Sequence, residues 1–150
     1  ASEALNTFGG VARRMTVHKD SADLVIIEDY AHHPTEVRMA IAALHKRYPE
    51  YHLRVVFQPH RYARLEKYFD AFAVELAKTD SVYIAPVFAA WTETAPCSSE
   101  DLAAAIPGGK YIAPPWSDTG KELLAKPFDK PLLLAILGAG DIEALITELI

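Results

Sequence analysis

At 150 residues, 51% of them hydrophobic and 23% charged, the chain has the size and composition of one globular domain with a core of its own. A formal net charge of −5 leaves no basic surplus to neutralise phosphates, which argues against a general nucleic-acid binder or a membrane binder. The one cysteine, Cys97, excludes an intrachain disulfide and fits a reducing compartment, no apolar run approaches the roughly 20 residues of a membrane span, and residues 1–8 lack the basic and apolar zones of a signal peptide, so a cytoplasmic location is expected.

Ala1–Leu5 is compatible with a frayed helix that Gly9-Gly10 would break, and residues 1–14 read as a linker or hinge ahead of a domain at 15–150. Taken alone, Arg13 and Arg14 read as solvated. Met15–His18 alternate as an edge strand does, and 19–22 form a turn. Leu24-Val25-Ile26-Ile27 is short and mostly β-branched, which suits a strand over 23–28 covered on both faces. That strand runs into Glu28-Asp29-Tyr30-Ala31-His32-His33, and Pro34 then has the fixed φ of a first helical turn. Thr35 and Glu36 suit the same turn, where unpaired N–H groups and the helix dipole favour them. Val37, Ile41, Leu44 and Tyr48 keep helical spacing until Pro49.

A second buried strand over 52–57 ends in Gln58-Pro59-His60-Arg61-Tyr62-Ala63-Arg64. Leu65, Phe69, Phe72 and Leu76 carry a helix to Lys78, and a start by Arg61 would put Arg61 and Arg64 on one face. A third strand follows over 81–86, then a loop over 87–97 holding Phe88 and Trp91. Ser98, with Asp101 three residues on, caps a helix to Ile106. A short strand is expected over 110–113, and a helix capped by Ser117 or Asp118 runs to Lys126. The most apolar strand, 131–137, leads through Gly138-Ala139-Gly140-Asp141 into a helix to Ile150.

This alternation predicts a Rossmann-like three-layer α/β fold, with a mainly parallel sheet of about five strands plus an extra edge strand. Strand ends 28–36, 58–64 and 138–141 are polar or glycine-rich, and as sheet neighbours they would converge on one rim, where open α/β sheets bind ligands. His60, Arg61 and Arg64 form a cationic patch suited to a carboxylate or phosphate. Asp29 can accept from ribose hydroxyls or amines, or ligate a metal; with His32 and His33 it resembles a fragment of a two-metal site. A metal-dependent phosphoesterase using Asp29, His32 and His33 is therefore one reading, and a non-catalytic nucleotide- or anion-binding module another. His18, His45 and His52 read as surface residues, and Cys97 as a loop thiol. His33 reads as a packing or capping residue at the helix entrance. Gly138-Ala139-Gly140 lacks the third glycine of a dinucleotide fingerprint, because Ala144 or Leu145 stands where it would fall; a tight turn needing small residues accounts for it equally. No Walker-type phosphate loop occurs.

Together, Asp29-Tyr30-Ala31-His32-His33-Pro34-Thr35-Glu36-Val37 and Phe57-Gln58-Pro59-His60-Arg61-Tyr62-Ala63-Arg64 resemble the C-terminal domain of the Mur ligase family. Phe8-Gly9-Gly10-Val11-Ala12-Arg13-Arg14 resembles that family's junction between central and C-terminal domains, and Leu137-Gly138-Ala139-Gly140-Asp141-Ile142 its final strand and turn. The resemblance implies an ATP-dependent amide ligase of peptidoglycan synthesis. In the branch it is most similar to, UDP-N-acetylmuramate is activated as an acyl phosphate and L-alanine attacks it. It further implies an N-terminal domain for the uridine nucleotide and a central domain holding the P-loop and Mg2+, so that this domain alone carries no catalytic residue, binds no metal and is inactive in isolation. By resemblance, Arg14 reaches the ATP phosphates and Asp29 the ATP ribose, while Tyr30, His32, His60, Arg61 and Arg64 line the amino-acid pocket. The chain departs from the family after the third strand: Val87-Phe88-Ala89-Ala90-Trp91-Thr92-Glu93 stands where a glycine–glutamate pair is usual.

Overall fold

A computed structural model describes residues 13–89, 96–127 and 129–150. Six strands form one sheet: β1 (Thr16–Asp20), β2 (Leu24–Asp29), β3 (His52–Phe57), β4 (Ser81–Ile84), β5 (Lys110–Tyr111) and β6 (Leu132–Leu137). The helices are α1 (Pro34–Arg47), α2 (Tyr62–Leu76), α3 (Ser99–Ala105), α4 (Trp116–Leu124) and α5 (Glu143–Leu149). The sheet order is β1-β2-β6-β3-β4-β5. β1 is antiparallel to β2, and the other pairings are parallel. The expected architecture of five parallel strands and an edge strand is what the chain adopts.

The last strand in sequence takes a central place. Leu132–Leu137 has no polar side chain and is buried throughout. Each such aliphatic residue gains roughly 2 kcal/mol on burial, a gain that only a position covered on both faces collects in full. Side chains alternate across the sheet. Val25, Ile27, Val55, Phe57, Leu133 and Leu137 pack against the helical residues Val37, Ile41, Leu44, Leu65, Phe72 and Leu102. Ile26, Val56, Leu134 and Ile136 face Leu123, Leu145 and Ile146 on the other side. Helices α1–α3 therefore cover one face, and α4 and α5 the other.

Several boundaries move. β1 extends to Asp20, because its ladder to Val25 continues past a bulge between Val17 and Lys19. β4 ends at Ile84, and β5 has two residues. Ser98 and Asp101 form the expected capping box. Ser117 and Asp118 cap nothing: α4 begins a residue before Ser117, with Pro115 at its N-cap, so both lie inside the first turn. Trp91 lies outside the described residues. No helix among the described residues is long and apolar enough to cross a membrane.

Candidate functional site

Because β6 lies between β2 and β3, the ends of these three strands meet on one rim. Asp29 closes β2 and is 5% exposed. Its Oδ1 accepts the Ala31 N–H at 2.9 Å and its Oδ2 the Met15 N–H at 3.0 Å. The carboxylate thus holds both its own turn and the incoming chain. A carboxylate offers about four acceptor positions, so capacity for a ligand hydroxyl remains.

The incoming segment is clasped a second time by Glu28, also buried. Its Oε1 accepts from Arg13 Nε at 2.8 Å, and its Oε2 lies 2.8 Å from His18 Nε2. Arg13 Nη2 also donates to the Gly138 carbonyl at 2.9 Å, across to the end of β6. Arg13 and Met15 both have positive φ, +64° and +45°. Such a conformation costs a non-glycine residue roughly 1–3 kcal/mol and persists only where surrounding contacts impose it. Here the Glu28 and Asp29 contacts impose it. Arg14, between them, is left half exposed, 3.2 Å from Glu36 and 4.0 Å from Asp29. Arg13 is mostly buried, so reading both arginines as solvated fails for the first of the pair: its partners, Glu28 and Gly138, are remote in sequence.

At the start of α1, His33 is the N-cap: its Nδ1 accepts the Thr35 N–H at 3.1 Å, and its ring meets Tyr68 edge-on at 4.7 Å. It both caps and packs. His32 Nδ1 lies 2.9 Å from the Tyr30 carbonyl and 3.9 Å from Glu36 Oε1. Among the described residues no group of three His, Cys, Asp or Glu side chains is placed to hold a metal ion. With Asp29 and His33 engaged by backbone N–H groups, the geometry gives the phosphoesterase reading no support.

The second cluster differs from its expected form. Arg61 has φ +68° and stands outside α2 as its N-cap. It therefore shares no helix face with Arg64. The chain turns there because residues 59–61 pair with the segment after β4. The Arg61 N–H donates to the Phe88 carbonyl at 2.9 Å, and the Phe88 N–H to the Pro59 carbonyl at 2.8 Å. Arg64 Nη1 instead donates to His60 Nδ1 at 3.2 Å. His60 stacks on Phe88, with centroids 5.4 Å apart, and its ring lies 5.6 Å from that of His32. His32 in turn meets Tyr30 edge-on at 5.2 Å. Tyr30, His32, His60 and Phe88 thus form a row of rings along the rim. The Arg13 and Arg14 guanidiniums lie 5.2 and 5.7 Å from the Tyr30 centroid at one end of it.

A cleft opens at each end of the row. One, of about 280 Å³, is lined by Arg14, Met15, Asp29, Glu36 and Met39. The other, of about 380 Å³, is lined by Gln58, Phe88, Trp116, Asp141 and Ala144. Gln58 donates from Nε2 to Asp141 at 2.8 Å and accepts the Ile142 N–H at 3.1 Å, tying β3 to the turn after β6. That turn needs Gly140: a Cβ there would stand 2.6 Å from Gln58 Oε1 and 2.5 Å from the Phe88 ring. Gly138-Ala139-Gly140 is thus the small-residue turn rather than a nucleotide fingerprint. Phe88 was not a candidate from sequence, and Asp141 was one only as part of the strand end 138–141; that its side chain pairs with Gln58 has no local signal.

The other histidines are half buried, not free on the surface. His18 pairs with Glu28, His45 Nε2 lies 2.9 Å from the Lys78 carbonyl, and His52 Nε2 lies 2.9 Å from Ser81 Oγ. Burial, then the charges of Glu66 and Asp101, raises the Cys97 pKa, which keeps it a poor nucleophile.

Burial lowers the pKa of His60 first, and Arg64, His32 and Arg61 lower it further. Burial also lowers that of His52, outweighing the opposing pull of Asp80. A lowered folded-state pKa means that the unfolded chain binds more protons through this window, so stability rises with pH across it. The contribution is complete above the ordinary histidine value of about 6.5 and is lost as pH falls through the folded values. Denaturation midpoints at pH 5.5 and 7.5 check this: the midpoint is expected to be lower at pH 5.5, by less in His60→Gln. An identical drop in wild type and variant would contradict the assignment to His60.

Solved structures share the fold, among them the following three. UDP-N-acetylmuramate-alanine ligase from Thermotoga maritima matches with a TM-score of 0.73 at 22% identity, over 98% of this chain and 31% of that one. A murein peptide ligase from Psychrobacter arcticus matches at 0.71 and 20% identity, over 98% and 31%. The bifunctional folylpolyglutamate synthase/dihydrofolate synthase from Yersinia pestis, complexed with AMPPNP and Mn, matches at 0.59 and 17%, over 88% and 29%. The chain spans about a third of the length of these structures. Residues 13–128 match the family described as "Mur ligase, glutamate ligase domain", and with most of its length so matched the chain belongs to the Mur ligase family.

Proposed function

We propose that this chain is the C-terminal domain of an ATP-dependent ligase that joins L-alanine to UDP-N-acetylmuramate in peptidoglycan synthesis, in the cytoplasm. Residues 1–14 are its junction with a central domain that holds ATP and Mg2+, and an N-terminal domain holds the uridine nucleotide. The observation that carries this reading is the row Tyr30–His32–His60–Phe88, which joins the two sequence clusters into one rim with arginines at hand on both.

Arg14 and Asp29 line the same cleft, which supports assigning them to ATP: the half-exposed guanidinium to its phosphates, the remaining carboxylate positions to its ribose. Mg2+ is assigned to the central domain, as the family resemblance implies. ATP supplies the phosphoryl group that activates the muramate carboxylate. Along the row from there, Arg61 and Arg64 bind the carboxylate of the incoming amino acid, and Tyr30, His32 and His60 line its pocket. Likeness in fold does not separate alanine from a murein peptide as the added group, since the two structures named for them match almost equally. Gln58-Pro59-His60-Arg61, which resembles the alanine-adding branch, favours alanine.

The test is to join this chain to its two upstream domains and measure phosphate release that requires both L-alanine and UDP-N-acetylmuramate. In that protein Arg61→Ala is expected to raise the KM for L-alanine. A charge-assisted hydrogen bond is worth about 1.5–3 kcal/mol, or roughly 10- to 150-fold, with kcat little changed. An unchanged KM removes Arg61 from the pocket.

A further inference from the structure

The hydrogen bonds of the two neighbouring histidines assign their protons. A carbonyl oxygen only accepts, so His32 Nδ1, 2.9 Å from the Tyr30 carbonyl, carries the hydrogen. In neutral His32 the lone pair is therefore on Nε2. A guanidinium only donates, so His60 Nδ1, 3.2 Å from Arg64 Nη1, carries the lone pair and His60 Nε2 the hydrogen. Neither Nε2 has a hydrogen-bond partner among the described residues. The rim thus presents one imidazole as a proton acceptor and the next, 5.6 Å away between centroids, as a proton donor.

The groups around them reinforce the difference. Burial, Arg64 and Arg61 keep His60 neutral. His32 has the Glu36 carboxylate 3.9 Å from Nδ1, on the side away from its lone pair, and the Tyr30 carbonyl nearer still. This is the arrangement in which a carbonyl or carboxylate orients an imidazole base through one nitrogen while the other works.

Resting on the ligase reading above, we propose that His32 is the general base of the ligation, taking a proton from the ammonium group of the incoming amino acid. The nitrogen pair freed in this way forms the C–N bond as the C–O bond to phosphate breaks. The second proton that the nitrogen sheds leaves with the phosphate. An ammonium, an acyl phosphate and neutral imidazole become an amide, hydrogen phosphate and imidazolium, with hydrogens and charge balanced. His60 Nε2–H and Arg64 bind and orient the amino acid and move no proton.

The test uses the ligase with its upstream domains and two nucleophiles: L-alanine, protonated at neutral pH, and hydroxylamine, whose nitrogen is not. In His32→Asn the side-chain amide can still donate to the Tyr30 carbonyl but has no basic nitrogen. Turnover with L-alanine is expected to fall about 10²- to 10⁴-fold, while hydroxamate formation with hydroxylamine is retained. Equal loss with both nucleophiles would make His32 a structural or positioning residue and overturn the proposal, as would undiminished turnover with L-alanine. Absence of hydroxamate and of alanine-dependent phosphate release from the unmutated protein would instead bring down the ligase reading, and the proposal with it.

Discussion

Arg54→Ala is expected to lower the unfolding free energy by about 3 kcal/mol, on the scale at which each buried acceptor left unsatisfied costs about 1–3 kcal/mol. Arg54 lies near the start of β3, at the opposite end from the rim, and is 8% exposed. Its Nη1 donates to the carbonyls of Glu122, Leu123 and Ala125 at 3.2, 2.8 and 2.8 Å, and its Nε to Ser81 Oγ at 3.1 Å. The Leu123 and Ala125 carbonyls stand at the end of α4, where no further turn of helix exists to bond them, while the Glu122 carbonyl also accepts the Ala125 N–H at 3.2 Å. The cost stays well below three full penalties because water reaches the exposed residues Glu122 and Ala125 once the side chain is gone. The neighbouring Lys110–Glu122 pair is exposed and offsets little of the loss. For a domain of this length the loss corresponds to a fall in Tm of about 6–12 °C. Arg54→Lys recovers only part of it, because the ammonium sits one bond nearer the backbone than Nη1 and lysine has no Nε–H to give to Ser81 Oγ. Thermal and denaturant unfolding measure the change; a shift no larger than that of a surface substitution would refute the capping role.

Glu28→Ala is the second large effect, expected to cost about 2–4 kcal/mol and to release the segment that carries Arg14. Removing one member of a buried ion pair costs about 3–5 kcal/mol, lowered here because the Arg13 side chain is 19% exposed and can hydrate. Arg13 keeps one bond, to the Gly138 carbonyl, and His18 loses its carboxylate. Without the clasp only the Gly138 bond offsets the positive φ at Arg13, and the hold of Asp29 on the Met15 N–H weakens. Hydrogen exchange at the Met15 amide is expected to speed up by more than exchange in the central strand β6. Protection at Met15 equal to that of the unmutated protein would show that the Asp29 contact alone seats the segment. Glu28→Gln should fall between the two, since its carbonyl oxygen still accepts from one partner. On the proposed ligase reading, with Arg14 at the ATP phosphates, the same loss of order in the protein joined to upstream domains is expected to raise the KM for ATP.

Local chemistry carried most of the fold. The apolar runs of β2, β3 and β6 marked strands covered on both faces. Ser98 with Asp101 wrote out a helix cap, and Pro34 opened α1 where its fixed φ allows. These are effects between residues a few positions apart, and they survive whatever the rest of the chain does. The polar strand ends at Asp29 and Gln58 pointed to a rim, and the resemblance named its kind.

What the sequence by itself determined, then, was the order of elements and which segments bear chemistry; what only the tertiary structure decided was how individual side chains within them are used. Arg13 and Arg14 are adjacent and identical in type, yet one is a buried clasp and the other half exposed, because Glu28 and Gly138 come to Arg13 from 15 and 125 residues away. Arg61 leaves the helix that its spacing with Arg64 suggested, because the Phe88 carbonyl arrives from the end of β4 to take its N–H. The division of labour between His32 and His60 likewise depends on partners: a carbonyl for one, a guanidinium for the other. Hydrogen-bond periodicity is a property of neighbours in sequence, whereas desolvation and pairing are properties of neighbours in space, and the insertion of β6 between β2 and β3 is what made these residues neighbours.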